Sequence, residues 1–189
     1  MNSVTYVRSL LAVILGLALS HLLRGIASLI QNPKTLKPYW VHLTWILFLF
    51  IYLIHFWWWE FHLDQVRAWT FPLYFFVAVY ATVAYLQCAI LVSDHLHGHE
   101  DYRSYFYARR VWFFSLLIVL LVLDVIDSLI KGSDYWHKLG YPYAAREATL
   151  LVLSLLGTRL KNPTFQAIFV VFAVLIEGAY IFYYFKVVG

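Results

Sequence analysis

Long apolar runs alternate with short polar stretches along the chain, and this pattern predicts its architecture. Six apolar segments lie at about residues 4–30, 39–62, 71–93, 113–131, 144–160 and 164–186. Most of them approach or exceed the roughly 20 residues that a helix needs to cross the hydrocarbon core of a membrane. Proline, glycine and clustered polar residues separate the segments, and such residues end helices. The sequence therefore predicts an all-α, polytopic transmembrane bundle of six spans, with residues 1–189 in one domain.

The fifth segment fits this pattern least well. Its apolar part covers only residues 148–157, and Arg146 and Glu147 lie in its first turn. Residues 132–143 before it, rich in aromatic and polar side chains, are predicted to form a loop. A segment this short either crosses the membrane with help from its neighbours or enters and leaves on one side. The sequence leaves these alternatives open.

Two local patterns add detail to the predicted helices. The small residues Ala12, Gly16, Ser20 and Ser28 lie at multiples of four-residue spacing, which predicts a ridge where a neighbouring helix approaches closely. Residues 102–110 combine tyrosines with arginines ahead of the fourth segment. They predict a helical lead-in at the membrane surface, with aromatic rings at the headgroups and arginines reaching phosphates.

Composition excludes a soluble protein. Hydrophobic residues make up 63% of the chain and charged residues 13%, whereas soluble domains are about half apolar and a quarter charged. The net charge of +4 is attributed to loops facing one leaflet, so no nucleic-acid partner is expected. The expected partners are the lipid bilayer and either further copies of the chain or a larger membrane complex. The expected location is a bacterial cytoplasmic membrane.

The distribution of basic residues gives an orientation. Six alternating spans place the links after segments one, three and five on one side, which carries eight basic residues against six on the other. Because lysine and arginine accumulate in cytoplasmic loops, the richer side is assigned to the cytoplasm. Both chain ends then lie outside. If the fifth segment does not span, the C-terminus moves to the cytoplasmic side.

Several ionisable residues interrupt the apolar segments. Asp124 and Asp127 are three residues apart, so they share one face of a helix. A charged side chain at the centre of a membrane helix costs about 2.5–3.5 kcal/mol on insertion scales, so such residues face the protein interior and have partners. The two aspartates therefore predict a buried polar site.

Depth along the helices suggests the partners. Counting from the segment ends places Arg8, His55, Asp124, Asp127 and Glu177 in the same, non-cytoplasmic half of the membrane. Arg146 and Glu147 join them if the fifth segment spans. One hypothesis is a proton or cation pathway with carboxylates as ligands, His55 as relay and Arg8 as a tuning charge. The other is a structural salt-bridge network, for instance Arg8 and Arg146 against Asp124 and Glu177.

Histidines suggest two further sites. His95, His97 and His99 precede two acidic residues in a polar stretch, a composition that suits zinc, nickel or copper; a solvated loop is the alternative. His21 and His42 suggest haem ligands, but their depths differ by several residues, which favours polar packing. No cofactor is identified. Cys88, the single cysteine, excludes an internal disulfide and a cysteine metal cluster.

Nucleophile elbows, phosphate loops and dinucleotide glycine patterns do not occur, so no catalytic motif indicates an enzyme. An enzyme stays an open alternative, because membrane enzymes can use a few buried acids and histidines. The sequence favours a small integral membrane protein that conducts protons or cations, as a transporter or channel, through its buried carboxylates. The alternative is a non-catalytic structural or accessory subunit of a larger membrane complex.

Overall fold

A computed structural model describes residues 3–31, 37–60, 69–92 and 101–184 of the chain. Within these ranges the chain forms helices and no strand, which confirms the predicted all-α bundle. The helices are α1 (Ser3–Gln31), α2 (Trp40–Trp59), α3 (Phe71–Leu91), α4 (Tyr102–Ile130), α5 (Ser133–Arg159) and α6 (Pro163–Tyr184).

Five of these helices, α1 to α4 and α6, are long and apolar enough to cross a membrane. The chain is therefore an integral membrane protein of the helical type. The remaining helix, α5, does not meet this criterion, in line with the weak apolar pattern of the fifth segment.

The prediction of a loop at residues 132–143 was wrong, because α5 already begins at Ser133. Tyr135, Leu139 and Tyr143 are buried at helical spacing, and the polar residues between them point outward. An amphipathic helix of this kind resembles a loop in composition. Gly140, with φ of 64° and ψ of −165°, kinks α5 at a conformation that residues other than glycine rarely adopt.

The predicted helical lead-in at residues 102–110 is confirmed as helix and is continuous with α4. Asp101 caps it, accepting a hydrogen bond from the backbone N–H of Ser104 at 2.7 Å. The Ser104 hydroxyl also lies near the Asp101 backbone N–H, which completes a capping box. Since a capped helix starts at a fixed residue, this motif defines the register of α4.

The bundle is arranged around α2, which packs against α1, α3, α4 and α6, while α5 packs between α4 and α6. The face that α1 buries is formed by bulky residues at alternating three- and four-residue spacing: Val4, Val7, Leu11, Leu15, Ala18 and Leu22. Ala12, Gly16 and Ser20 are exposed instead. Ser28, the fourth residue of the predicted ridge, is half-buried. The prediction is therefore wrong at Ala12, Gly16 and Ser20, because α1 packs through another face, on which the close approach is that of Gly25 to Val92.

An aromatic layer closes the middle of the bundle. The Trp45 ring lies 5.0–5.5 Å from the rings of Phe48, Phe113, Phe114 and Phe169. None of these five side chains is more than 1% exposed. The layer contains no ionisable group, so it separates the polar part of the bundle, described next, from the opposite end.

Candidate functional site

Buried ionisable side chains converge beyond this layer, near the C-terminal ends of α2, α4 and α6. Together they form the carboxylate cluster: Glu60 and His55 from α2 and its end, Asp124 and Asp127 from α4, Lys131 at the end of α4, Arg146 and Glu147 from α5, and Glu177 from α6. Each is 7% exposed or less. In each helix these residues lie on the face turned toward the bundle, which keeps the charges away from lipid.

Arg146 is the centre of the inner half of this cluster. Its Nη1 donates to Oε2 of Glu177 at 2.7 Å, its Nε to Oε1 of Glu147 at 2.9 Å, and its Nη2 to Oδ2 of Asp124 at 3.3 Å. A guanidinium has five N–H donors in a fixed planar arrangement, so one arginine can donate to three carboxylates at once. The Tyr180 ring lies 4.5 Å from the guanidinium carbon, which adds a cation–π contact.

Glu177 connects Arg146 to His55. Its second oxygen, Oε1, is 2.6 Å from Nδ1 of His55. Since an ionised carboxylate only accepts, the imidazole donates through Nδ1, and the proton of that nitrogen lies between the two groups. An imidazole and a carboxylate at this distance can exchange a proton without moving apart.

Hydroxyl groups extend the cluster from Asp124 toward the aromatic layer. Tyr80 donates to Oδ1 of Asp124 at 2.9 Å, and Tyr143 donates to Oδ2 at 3.1 Å. The Tyr52 and Tyr80 hydroxyl oxygens are 3.1 Å apart. Tyr52 stacks on Phe48, a member of the aromatic layer. The hydrogen-bonded chain therefore ends where the aromatic layer begins.

Asp127 belongs to a second, outer group. Nζ of Lys131 donates to Oδ2 of Asp127 at 2.6 Å and to Oε1 of Glu60 at 3.2 Å. Burial raises the pKa of Glu60 to about 8, the Asp127 charge adds to this effect, and Lys131 opposes it. Burial alone would lower the pKa of Lys131, but the two carboxylates outweigh it and raise that pKa. With a pKa of about 8, Glu60 is mostly protonated at pH 7 beside the charged lysine.

The cluster contains more acids than permanent cations. Among the described residues it holds five carboxylates but only two such cations, Arg146 and Lys131, with His55 as a third when protonated. Uncompensated charge is expensive in a site of low dielectric constant, so such a site takes up protons. The cluster also contains a small cavity, with room for about one water molecule. The side chains that border it include Tyr52, His55, Tyr80, Asp124 and Arg146.

The structure thus brings together most of the residues that the sequence predicted. His55, Asp124 and Glu177 lie in the inner group, and Asp127 lies in the outer group. Arg8 is partly buried on α1, which packs against α2 and α3, and the arginine among the acids is Arg146. Whether these residues form an ion or proton pathway, with Arg8 as its tuning charge, stays a prediction.

Sequence reasoning missed Glu60, Lys131 and the tyrosines of this site. The predicted second segment includes Glu60 and the predicted fourth segment ends at Lys131, but the sequence assigns neither residue to the polar site. One signal was available: Asp127 and Lys131 are four residues apart, the spacing at which an acid and a base meet on a helix. No sequence pattern identifies which tyrosine meets Asp124, because that pairing joins different helices.

The histidines considered as haem ligands have another role. Nε2 of His21 lies 3.1 Å from the carbonyl oxygen of Val92, and Nε2 of His42 lies 2.6 Å from that of Leu91. Both therefore hydrogen-bond the last turn of α3, where carbonyl groups lack helical partners. The described residues contain no cluster of metal-ligating side chains. His95, His97 and His99 lie outside the described residues.

Comparison of the chain with protein-family models, curated proteins and solved structures gave no match. The function is therefore inferred from the geometry and charge of the carboxylate cluster.

Proposed function

We propose that this protein is a proton-coupled membrane transporter whose carboxylate cluster binds and releases the protons. The observation that carries the proposal is the excess of five buried carboxylates over two permanent cations. Intramembrane ionisable groups that are not fully balanced by charge are typical of proton relays in pumps and transporters.

Protons fit the cluster better than metal cations do. The cavity beside Asp124 has room for about one water molecule, whereas calcium takes six to eight oxygen ligands and magnesium keeps several waters. Arg146 lies among three of the carboxylates and repels any further cation. A proton needs neither space nor a ligand shell, and it neutralises a carboxylate that Arg146 leaves unbalanced.

A carrier mechanism fits better than an open channel. Tyr52 of α2 and Glu60 at its C-terminal cap are eight positions apart, so the polar chain covers about 12 Å at 1.5 Å per residue. The hydrocarbon core is about 30 Å thick, and the aromatic layer around Trp45 lies beyond Tyr52. Protons would therefore reach the cluster from one side, and release to the other side requires the helices to rearrange.

A second candidate function rests on the same contacts. Every carboxylate of the cluster has at least one donor within hydrogen-bond distance, as in a network that only holds helices together. The protein would then be a structural or accessory subunit, and the excess charge would be neutralised by protons that never exchange. Recovery of a stoichiometric partner by native mass spectrometry in mild detergent would favour this function.

Proton movement distinguishes the two functions. Purified protein is reconstituted into vesicles that enclose a pH-sensitive dye, and a potassium gradient with valinomycin sets the membrane potential. The transporter hypothesis predicts acidification or alkalinisation of the lumen that disappears in Asp124→Asn and Glu177→Gln. The matched control is Asp134→Asn, which makes the same chemical change on an exposed residue of α5.

The result is interpretable even if a buried variant fails to fold. Tyr80→Phe keeps the shape of the side chain and removes only the hydroxyl that donates to Asp124. Loss or slowing of proton movement in this variant, at unchanged elution from a size-exclusion column, supports the transporter. Wild-type vesicles that move no protons, with or without a gradient of candidate substrates, contradict it.

A further inference from the structure

Three exposed basic side chains lie at one level of the bundle, at the end opposite the carboxylate cluster. They form the basic belt: Arg109 of α4, Arg159 at the end of α5, and Lys161 shortly after it. Arg110 fixes their common level, because it is buried and donates to two carbonyl groups in the last turn of α5, at 3.0 and 2.9 Å. This part of α4 is thereby held beside the end of α5.

The belt lies at one boundary of the hydrocarbon core. Arg110 and Lys131 are 21 positions apart along α4, which is about 32 Å at 1.5 Å per residue, and the core is about 30 Å thick. Every exposed side chain of α4 between these two residues is apolar. A bilayer that has Lys131 at one boundary therefore has Arg110 and the belt at the other, where the lipid headgroups begin.

No acidic group of the described chain balances the belt. Its three side chains form no ion pair with a described residue. Along the same helices the nearest described acids are Asp101, eight positions before Arg109, and Glu147, twelve positions before Arg159. These separations are about 12 and 18 Å, longer than the screening length of about 8 Å at physiological ionic strength. The positive charge is thus available to an anion.

Exposed apolar surface lies directly beneath the belt, on the side of the hydrocarbon core. Trp112 is one turn from Arg109 on α4 and is 64% exposed, and Leu155 is one turn from Arg159 on α5 and is 49% exposed. Side chains three or four positions apart are neighbours on a helix surface. A molecule that contacts both surfaces needs an anionic group joined to a hydrocarbon chain.

We infer that the basic belt binds anionic phospholipids, with their headgroup phosphates at Arg109, Arg159 and Lys161 and their acyl chains against the apolar surface beneath. Guanidinium groups suit this role, since their planar donors match the oxygens of a phosphate. A zwitterionic lipid also carries a phosphate, but its amine cancels that charge and leaves the belt unbalanced. The inference does not depend on the proposed proton coupling.

Competition between two lipids tests the inference. Delipidated protein in detergent is mixed with equal amounts of phosphatidylglycerol and phosphatidylcholine that have identical acyl chains, and native mass spectrometry counts the lipids that stay bound. Each basic residue near an anionic surface strengthens the attraction about fivefold, so the wild type should retain phosphatidylglycerol at least about tenfold more strongly. High salt should reduce this preference, because it screens exposed charges.

Variants locate the site. Lys161→Gln should lower the preference for phosphatidylglycerol about fivefold. Lys138→Gln is the matched control, since Lys138 is also an exposed lysine but lies at the other end of the bundle, four positions after Asp134. Its preference should equal that of the wild type. The triple variant Arg109→Gln, Arg159→Gln and Lys161→Gln should retain both lipids equally.

Inorganic phosphate separates a lipid headgroup from a free anion. Millimolar phosphate, added at constant ionic strength, should leave phosphatidylglycerol bound, because the acyl chains contribute to binding. Displacement by phosphate would mean that the belt is a site for the free anion and would overturn the inference.

Four further results would also overturn it. They are equal retention of the two lipids by the wild type, a preference that high salt does not weaken, a preference that the triple variant keeps, and equal effects of Lys161→Gln and Lys138→Gln. The lipid competition and its salt dependence use only the wild-type protein, so they remain decisive even if the triple variant does not fold. No proton flux is measured, so this test and the transport assay fail independently.

Discussion

Arg146 of α5 donates to Glu177 of α6 across 2.7 Å, and both side chains are buried in the bundle. This pair explains how α5 packs between α4 and α6 despite its weak apolar character. The helix turns Arg146 and Glu147 toward acids and donors of its neighbours instead of toward lipid. The ion pair is thus a structural link as well as part of the proposed proton site.

Replacing Arg146 should be among the most destabilising changes in the chain. Arg146→Met leaves carboxylates of Asp124, Glu147 and Glu177 without their shared cation, and removing one partner of a buried ion pair costs about 3–5 kcal/mol. Arg159→Met, which removes an exposed arginine from the same helix, should change stability by less than about 0.5 kcal/mol. Thermal unfolding in detergent micelles measures both, and equal melting temperatures would contradict the assigned role of Arg146.

The pH dependence of stability should reflect Glu60. Its pKa rises from 4.5 to about 8 on folding, so the folded state binds the proton more tightly than the unfolded state. The stabilisation that this proton gives to the folded state is therefore complete below pH 4.5 and is lost as pH rises through about 8. Between these values the free energy of unfolding falls by up to about 1.4 kcal/mol per pH unit. Asp127, Lys131 and Asp124 are the charged groups that face Glu60.

Glu60→Gln removes this titration while keeping an oxygen that accepts from Lys131. Stability of the variant should fall less steeply than that of the wild type as pH increases from about 5 to about 8. The control Asp134→Asn, at an exposed position, should follow the wild-type curve. A Glu60→Gln curve parallel to the wild type would mean that Glu60 is ionised throughout.

Gly157 should tolerate no side chain, because α5 approaches α4 closely there. A Cβ atom at this position would lie 2.8 Å from Phe114, a fully buried ring of the aromatic layer. Overpacking of this kind costs about 1–3 kcal/mol. Gly157→Ala should therefore lower the melting temperature in micelles, and Arg110 would be affected as well, because it donates to the Gly157 carbonyl at 3.0 Å.

Gly16 provides the contrast. A Cβ atom there meets nothing within 4 Å, and Gly16 lies within α1. Since alanine favours helices over glycine by about 0.5–1 kcal/mol, Gly16→Ala should be neutral or slightly stabilising. Equal destabilisation by the two substitutions would refute the assigned difference in packing.

Tyr80→Phe should cost about 1–3 kcal/mol, since it removes a buried donor to Asp124 and the partner of the Tyr52 hydroxyl. Tyr141→Phe makes the same change at a side chain that is 83% exposed, and it should have no effect on stability. Both are measured by thermal unfolding. If Tyr80→Phe matches Tyr141→Phe, the hydroxyl chain from Asp124 to Tyr52 contributes nothing to stability.

Sequence alone determined the class of the protein, because the length and spacing of apolar runs follow from the thickness of a membrane. It also identified Asp124, Asp127, His55 and Glu177 as residues requiring partners, since charge inside an apolar helix is costly wherever the helix packs. The same reasoning placed residues 132–143 in a loop, because aromatic and polar residues in an amphipathic helix resemble a loop in composition.

Only the tertiary structure decided which groups meet. Position along a helix gives depth, but the direction in which a side chain points around the bundle depends on how the helices pack. Packing assigns Arg146 to Asp124 and Glu177, brings Glu60 to Lys131, and aligns Tyr80 with Asp124. These relationships join residues on different helices, so no local pattern encodes them.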